Sequence, residues 1–508
     1  MTFKISASIS SLLKPFGASL ISAFLIFLSF PNNDYFYFAW IAFIPLLLSI
    51  RATGVRGSFL LGFSTGFFTN AAALYWIYTM IQFNTGSRLQ AMLCLVAMSA
   101  YLALYYGIWT ALLRFVMPSL SLLRFSLFAA CLWVSLEYLR AHFLTGFPWL
   151  LLGMSQWRYT SIIQISEFTG VYGVSFLIML VNVSFTRFAM TRKIASFFLV
   201  MAGLACVSAL CYVVKLRNEV TSPPYMSVAV LQGNIDQYKK WDNTYQDEIM
   251  RVYSGLAREA SLHNPDLIVW PETAVPGFLP TNMFLYDWVR GTAKETKTYN
   301  LIGSPYNDGD SDYFNAVLLF GPEGEMLGVH KKTHLVPFGE FVPFRKLLAP
   351  YFAILNTLGD FTRGKLYDVF PVKSIRCAST ICSENFFGGT VRHFVLNGAE
   401  VILNQTNDAW FFKTAAAKQH FIMNVFRAIE NRRTIIVSGN TGISGIVSPG
   451  GVISHETPLF ERTFFLAKIS PSRYLTFYTR HGDLFAQCCV LMSLLMLVAI
   501  NRKIFTAK

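Results

Sequence analysis

Charge is scarce in this 508-residue chain: only 14% of its residues are Asp, Glu, Lys or Arg, while 54% are hydrophobic and 16% aromatic. Soluble domains average about 25% charged residues, so an ordinary soluble protein is excluded and a membrane protein is indicated. Acidic residues are scarcest outside the stretch 215–482, where four Asp and Glu face 15 Lys and Arg. Within that stretch the two signs nearly balance, 24 against 27. The net charge of +14 therefore belongs to the apolar flanks, where it marks topology rather than a nucleic-acid surface. Cysteine is almost missing from the polar stretch. Cys377 and Cys382 alone fall there, too few for a disulfide framework or a zinc site, and no metal or dissociable cofactor is implied. Cys94, Cys131, Cys206, Cys211, Cys488 and Cys489 lie in apolar runs and read as small hydrophobes. An internal repeat, a low-complexity segment and a clear small-residue cleavage site are also missing, so the first apolar run reads as a span and not as a removed signal peptide.

What the chain does have is long apolar runs. A hydrocarbon core takes roughly 20 helical residues, and runs near 16–31, 35–50, 58–80, 90–113, 125–140, 162–186, 194–214 and 484–501 predict eight spans. The first two are short, and Pro45 interrupts the second. The predicted organisation is a membrane domain over 1–214, an extramembrane domain over 215–482, and a last span with its tail over 483–508. One set of short loops carries Lys4, Lys14, Arg51, Arg56, Arg114, Arg124, Arg187, Arg192, Lys193, Arg502, Lys503 and Lys508; the other carries only Arg88, Arg140 and Arg158. This bias predicts both termini in the cytoplasm and the 215–482 domain outside, on the periplasmic side of a bacterial inner membrane. Glu137 and Arg140 share one helix face at the end of the fifth span. They either line a path for a lipid or, the plainer reading, satisfy each other at the interface.

The polar stretch alternates β-branched runs with helical ones. Strands are predicted at Ser227–Leu231, Leu267–Trp270, Leu301–Gly303, Ala316–Phe320, Ser374–Ile381, Val401–Asn404 and Thr434–Val437. Helices fit Tyr245–His263, Thr281–Thr296 and Ala415–Asn431. That alternation predicts an α/β domain with helices covering sheet faces. Three polar sites follow strand-like runs: Glu272 after Trp270-Pro271, Lys332 ahead of His334-Leu335-Val336-Pro337-Phe338-Gly339-Glu340, and Cys382 ahead of Ser383-Glu384. Each alone is ordinary, as a loop carboxylate, a solvated lysine or a packed thiol. Together they make a nucleophilic site. A thiol needs a base or cation beside it to react at neutral pH; Glu272 can take its proton, and Lys332 can stabilise an oxyanion. Glu340 can hold the lysine or a substrate amine in position.

Trp-Pro-Glu, Lys-x-His-Leu-x-Pro-x-Gly-Glu and Cys-x-Glu, in this order, resemble the nitrilase (carbon-nitrogen hydrolase) superfamily. Together with the spans, the whole chain resembles the bacterial apolipoprotein N-acyltransferase family. The more specific matches are Leu231-Gln232-Gly233-Asn234-Ile235 with Lys240-Trp241-Asp242, His334 to Pro343, Asn407-Asp408-Ala409-Trp410-Phe411, and Thr145-Gly146-Phe147-Pro148-Trp149. The resemblance implies a nitrilase-like α-β-β-α sandwich beside a multi-pass helical membrane domain, with Glu272 as base, Lys332 as oxyanion stabiliser and Cys382 as nucleophile. By matching position, Trp241, Asn315, Glu340, Glu384, Trp410 and Phe411 line or support the site. It further implies a phospholipid acyl donor such as phosphatidylethanolamine, a Cys382 thioester, and ping-pong transfer to the N-terminal amine of a diacylglyceryl-cysteine lipoprotein. One departure is Ser383, where the family commonly has an aromatic residue. Lys331 adjoins Lys332, but only Lys332 has the family's spacing to Glu340.

A membrane-tethered amidase or nitrilase-like hydrolase with the same triad is the alternative. The apolar spans argue against it, since an enzyme acting on two lipids must keep its site at the bilayer and its thioester away from water. A vestigial site that only binds partners is disfavoured because all three positions hold competent residues. A transporter is weaker still, for the spans carry few charges and no repeat.

Overall fold

The computed structural model describes residues 2–31, 33–117, 120–191, 194–218, 226–309, 311–348 and 360–506. Arg192, Lys193 and Lys508, used above for orientation, lie outside the described residues. The chain forms two compact units: Met1–Arg217 with Thr414–Ile422 and Asp483–Lys508, and Asn218–Lys413 with Met423–Gly482.

The first unit is helical: α1 (Thr2–Leu28), α2 (Ile44–Ser49), α3 (Val55–Ala73), α4 (Trp76–Thr85), α5 (Arg88–Val116), α6 (Leu122–His142), α7 (Ser166–Thr169), α8 (Val171–Thr191) and α9 (Ile194–Asn218). Its last helix covers Leu484–Thr506. Among the described residues three helices are long and apolar enough to cross a membrane: Arg88–Val116, Val171–Met190 and Leu484–Arg502.

Three of the predicted spans are not continuous helices. The run 35–50 breaks into a 3-10 turn at Phe36–Trp40 and the short α2. Pro45 lacks an N–H and sits in the first turn of α2, where none is needed. The backbone groups freed by the break are met by Asn182 of α8, whose Nδ2 donates to Ala39 O at 2.8 Å and whose Oδ1 accepts from Phe43 N at 2.9 Å. Such side-chain repair is what lets a broken helix persist in an apolar setting. The run 58–80 is divided between α3 and α4, and 162–186 is interrupted at Gly170, whose φ is +64°.

Helices α3 and α5 pack closely because small residues face each other. A Cβ at Gly62 would lie 2.1 Å from Thr110 Oγ1, while that hydroxyl donates to Ser58 O at 2.7 Å. Glu137 and Arg140 are both buried and brace the chain beyond α6. Arg140 Nη2 donates to Trp149 O and Leu150 O at 3.1 and 3.3 Å, and Glu137 Oε1 accepts from Leu152 N at 2.7 Å. Arg140 Nη2 and Glu137 Oε1 are thus spent on backbone.

The second unit is built on two sheets. The first contains β1 (Met226–Gln232), β2 (Leu267–Val269), β3 (Leu279–Pro280), β4 (Tyr299–Asn307), β5 (Phe314–Phe320) and β6 (Met326–Lys331). The second contains β7 (Phe370–Val372), β8 (Ile375–Ile381), β9 (Val401–Thr406), β10 (Ile435–Gly439), β11 (Gly445–Val447) and β12 (Ile453–Ser454). A final strand, β13 (Thr463–Ile469), returns to pair antiparallel with β1. The strand orders are β13-β1-β2-β4-β5-β6, with β3 beside β4, and β12-β11-β10-β9-β8-β7. Strands β1, β2 and β4 run parallel, as do β8, β9 and β10.

Both faces of these strands are covered, which is why they read as unbroken apolar runs. Val228, Val230, Leu267 and Val269 meet Cys377, Ile381, Val401 and Leu403 in a core between the sheets. Ala229 and Leu231 turn outward against Ile249 and Tyr253 of α10 (Gln246–Ser261) and Leu285 and Val289 of α11 (Met283–Thr296). After the short α12 (Arg345–Leu348), α13 (Gly388–Leu396) packs on β8 from the other side. The order helix, sheet, sheet, helix is that of a nitrilase-like sandwich. Parallel strands send their carboxyl ends the same way, and such ends are where sheets of this kind build sites.

Candidate active site

The nucleophile candidate stands at the end of β8. Buried apolar residues hold the strand to Ile381, and the chain then turns at Cys382 with φ +50° before a 3-10 turn to Phe386. A non-glycine residue in the left-handed region carries local strain that its surroundings must hold. Here Asn404 Nδ2 donates to Cys382 O at 3.1 Å, and Glu384 Oε2 accepts from Ile381 N at 2.8 Å. Cys382 is half-buried. Burial, and then the charge of Glu272, push its thiol well above the ordinary range, while Lys332 pulls the other way. Cys377 is wholly buried between the sheets, its thiol pushed up to about 12 by burial.

Glu272 follows β2, and Lys332 directly follows β6. Glu272 is buried and its two oxygens are fixed: Oε1 accepts from Asn315 Nδ2 at 2.8 Å and Oε2 from Asn407 N at 2.8 Å. Lys332 Nζ lies 3.8 Å from Glu272 Oε1 and donates to Glu340 Oε1 at 2.9 Å. Asn315, on β5, also donates to Glu340 Oε1 at 2.8 Å, so one amide nitrogen joins both carboxylates. Two carboxylate contacts leave no choice of which end of the amide faces them. Glu340 is held in turn by Val336 N, 2.8 Å from Oε2. Burial raises the Glu272 carboxyl above its ordinary value, against the pull of Lys332. Burial also disfavours the Lys332 charge, but Glu340, Cys382 and Glu272 outweigh it and hold the ammonium above its usual range. Glu272, Lys332, Glu340 and Asn315 thus form one buried cluster, whose charges act on Cys382.

Glu384 sits behind that cluster and supports it. Fully buried, its Oε1 accepts from Thr333 N, Thr333 Oγ1 and His334 N at 2.6, 2.7 and 3.2 Å, while Oε2 holds Ile381 N. One carboxylate therefore ties the cysteine turn to the lysine segment.

Trp241, Trp410 and Phe411 are outside the hydrogen-bonded cluster; Trp241 and Trp410 are 53% and 40% exposed. Their segments reach the site through neighbours. Asn407 N bonds Glu272, and the buried Lys240 donates from Nζ to Glu272 O and Thr273 Oγ1, each at 3.2 Å. Burial lowers Lys240 to about 7. No role for Lys240, Asn407 or Thr333 is legible in the sequence. Lys240 and Asn407 fall inside quoted motifs, but only spatial proximity shows what they hold. Ser383 is buried, and among the described residues its Oγ has no hydrogen-bond partner. Among those residues, too, no group of three or more His, Cys, Asp or Glu is placed to hold a metal ion.

Residues 22–184 match the family described as apolipoprotein N-acyltransferase N-terminal domain, and residues 227–476 match the carbon-nitrogen hydrolase family. An apolipoprotein N-acyltransferase of Geobacter metallireducens is 38% identical over 487 residues, covering 93% of this chain and 92% of the relative. The chain belongs to the apolipoprotein N-acyltransferase family. A second member, from Vibrio vulnificus, is 30% identical over 92% of this chain and 94% of its own. Among solved structures, an amidase from Nesterenkonia sp. is 19% identical, covers 53% of this chain and 95% of its own, and has a TM-score of 0.39. As an N-acyltransferase family member, the protein is an acyltransferase acting on lipoproteins with a lipid donor.

Proposed function

We propose that the protein is a phospholipid-dependent apolipoprotein N-acyltransferase that works by a ping-pong route through a thioester on Cys382, with phosphatidylethanolamine as a donor. The observation that carries this reading is the buried cluster of Glu272, Asn315, Glu340 and Lys332, whose charges bear on a half-buried thiol held in a left-handed turn. In the first half-reaction Glu272 takes the Cys382 proton as sulfur attacks the ester carbonyl of the phospholipid. Lys332 stabilises the resulting oxyanion. The C–O bond breaks, and Glu272 returns the proton to the departing lysophospholipid alkoxide. In the second, the N-terminal amine of a diacylglyceryl-cysteine lipoprotein attacks the thioester carbonyl, Glu272 accepts a proton from that nitrogen, and the thiolate leaves to be reprotonated. The amide product and free Cys382 result.

Glu340 and Asn315 act as positioning groups for Lys332 and Glu272, and Glu384 braces the turn that presents Cys382. The exposed Trp241 and Trp410, with Phe411, suit contact with an acyl chain. The bias of basic residues supports a chain of eight spans in a bacterial inner membrane, with the nitrilase-like domain over 215–482 periplasmic, flanked by a membrane domain over 1–214 and a last span over 483–508. Both termini are then cytoplasmic. The test is kinetic. Initial rates with phosphatidylethanolamine and a diacylglyceryl-cysteine lipopeptide, each varied against the other, are expected to give parallel double-reciprocal lines. Intersecting lines would favour direct transfer in a ternary complex, and acyl release to water at the same rate without lipopeptide would favour the hydrolase.

A further inference from the structure

The carboxylate of Glu384 is fully buried, yet it faces a cation that the triad does not use. His330, on β6 two residues before Lys332, is itself wholly buried. Its Nε2 stands 3.7 Å from Glu384 Oε2, an ion-pair distance, and its Nδ1 lies 3.2 Å from Asp368 Oδ2. The other charged neighbour, Asp368, precedes β7 and is partly open to solvent. From α13 the ring of Phe394 meets the imidazole edge-on at 5.0 Å. Among the described residues, the ionisable groups facing His330 are these two carboxylates, one at each ring nitrogen.

A buried carboxylate with no compensating charge is costly and tends to take up a proton. A protonated Glu384 would have one oxygen turned from acceptor to donor, although that carboxylate accepts from Ile381 N, Thr333 N, Thr333 Oγ1 and His334 N. Those groups belong to the cysteine turn and to the segment following Lys332. We infer that His330 is a positioning residue: as an imidazolium between Asp368 and Glu384, it keeps Glu384 ionised and so fixes the nucleophile turn relative to the lysine. This rests on the assignment of Cys382 and Lys332 to catalysis and adds a charge relay that reaches them from behind. Both carboxylates favour the imidazolium, which is raised to about 9 against the opposing effect of burial, and Glu384 is drawn down to about 2. Above that upper value the imidazole is neutral and Glu384, still ionised at such a pH, is left buried without its counter-charge, which loosens the turn it fixes.

The test measures the rate of Cys382 acylation by phosphatidylethanolamine micelles, without acceptor, using intact-protein mass spectrometry between pH 6 and 10.5. The headgroup amine titrates alike in every variant, so differences between variants report the enzyme. Wild type is expected to lose acylation rate as pH rises through about 9. Asp368→Asn, at a partly exposed site that leaves His330 in place, should move this limb down by about one pH unit. His330→Gln should acylate roughly tenfold more slowly at neutral pH, with an unchanged half-saturating lipid concentration and no limb near 9. If Asp368→Asn leaves the limb where it is, or His330→Gln keeps both it and the wild-type rate, the relay is overturned while the nucleophile stands. If wild type forms no Cys382 adduct at any pH, the nucleophile assignment falls and the relay with it.

Discussion

Glu272 and Glu384 are both buried glutamates of one site, and their surroundings push them in opposite directions. Burial dominates at Glu272 and raises its affinity for a proton; at Glu384, His330 and four hydrogen bonds overcome burial and bring the carboxyl to about 2. Divergent environments of this kind separate proton-transfer groups from fixed charges. Glu272→Gln keeps the shape and an acceptor oxygen but removes the proposed base, so acylation of Cys382 should slow by about 10²–10⁴-fold, measured as the rate of adduct formation. Cys382→Ala should abolish both adduct and turnover without changing the thermal unfolding midpoint in detergent; residual turnover at the wild-type rate would place the nucleophile elsewhere. The residues of the proposed triad stand out in the sequence because each sits in a recognisable motif, and Glu272 and Cys382 also follow predicted strands. His330 does not stand out. It carries no motif of its own, and its partners Asp368 and Glu384 come from other elements, so only the fold brings the three together.

At the scale of elements, the same pair sets a pH window for stability. His330 is raised from 6.5 to about 9, so its contribution is complete below pH 6.5 and is lost as pH climbs through 9. Glu384 is lowered from 4.5 to about 2, so its contribution is present above pH 4.5 and lost as pH falls through 2. Stability contributed by the pair should therefore be greatest between pH 4.5 and 6.5, which thermal scans of wild type and Glu384→Gln can separate. Removing the buried carboxylate should cost about 3–5 kcal/mol within that window, and a pH-independent difference would refute the linkage. In the helical unit, Asn182→Leu strips the partners from Ala39 O and Phe43 N. It should destabilise the break between residues 36 and 49 by about 1–3 kcal/mol for each group left unpaired, seen as a lower unfolding midpoint in detergent.

Element types were readable where burial makes a sequence uniform. Helix Ala415–Asn431 is found with the predicted bounds, and β1, β5 and β8 lie within a residue or two of theirs. Strand β6 was missed because its faces are mixed and Gly328 interrupts it; β13 was missed because it is a partly exposed edge strand. Helix α13 opens on Gly388-Gly389, which masks a helical pattern. Hydropathy alone also ran helices through residues 35–50 and 58–80, because it registers apolarity and not the backbone breaks that Asn182 and the bend between α3 and α4 accommodate.

At the scale of the whole molecule, the apolar helices and the nitrilase-like unit belong together for a chemical reason. A thioester to a fatty acyl chain is energetically able to acylate water as well as an amine, so an acyltransferase working through the proposed thioester must form it at a lipid source and keep it dry until a lipid-bearing acceptor arrives. The most direct measurement is mass spectrometry of the purified full-length protein after mixing with phosphatidylethanolamine alone, followed by addition of a diacylglyceryl-cysteine lipopeptide. If the thioester route holds, a hydroxylamine-labile acyl mass is expected on the peptide containing Cys382, stable for many turnovers' time in water and discharged as an N-acyl lipopeptide on addition. An acyl mass on another residue, none at all, or one lost to water regardless of the lipopeptide would contradict it.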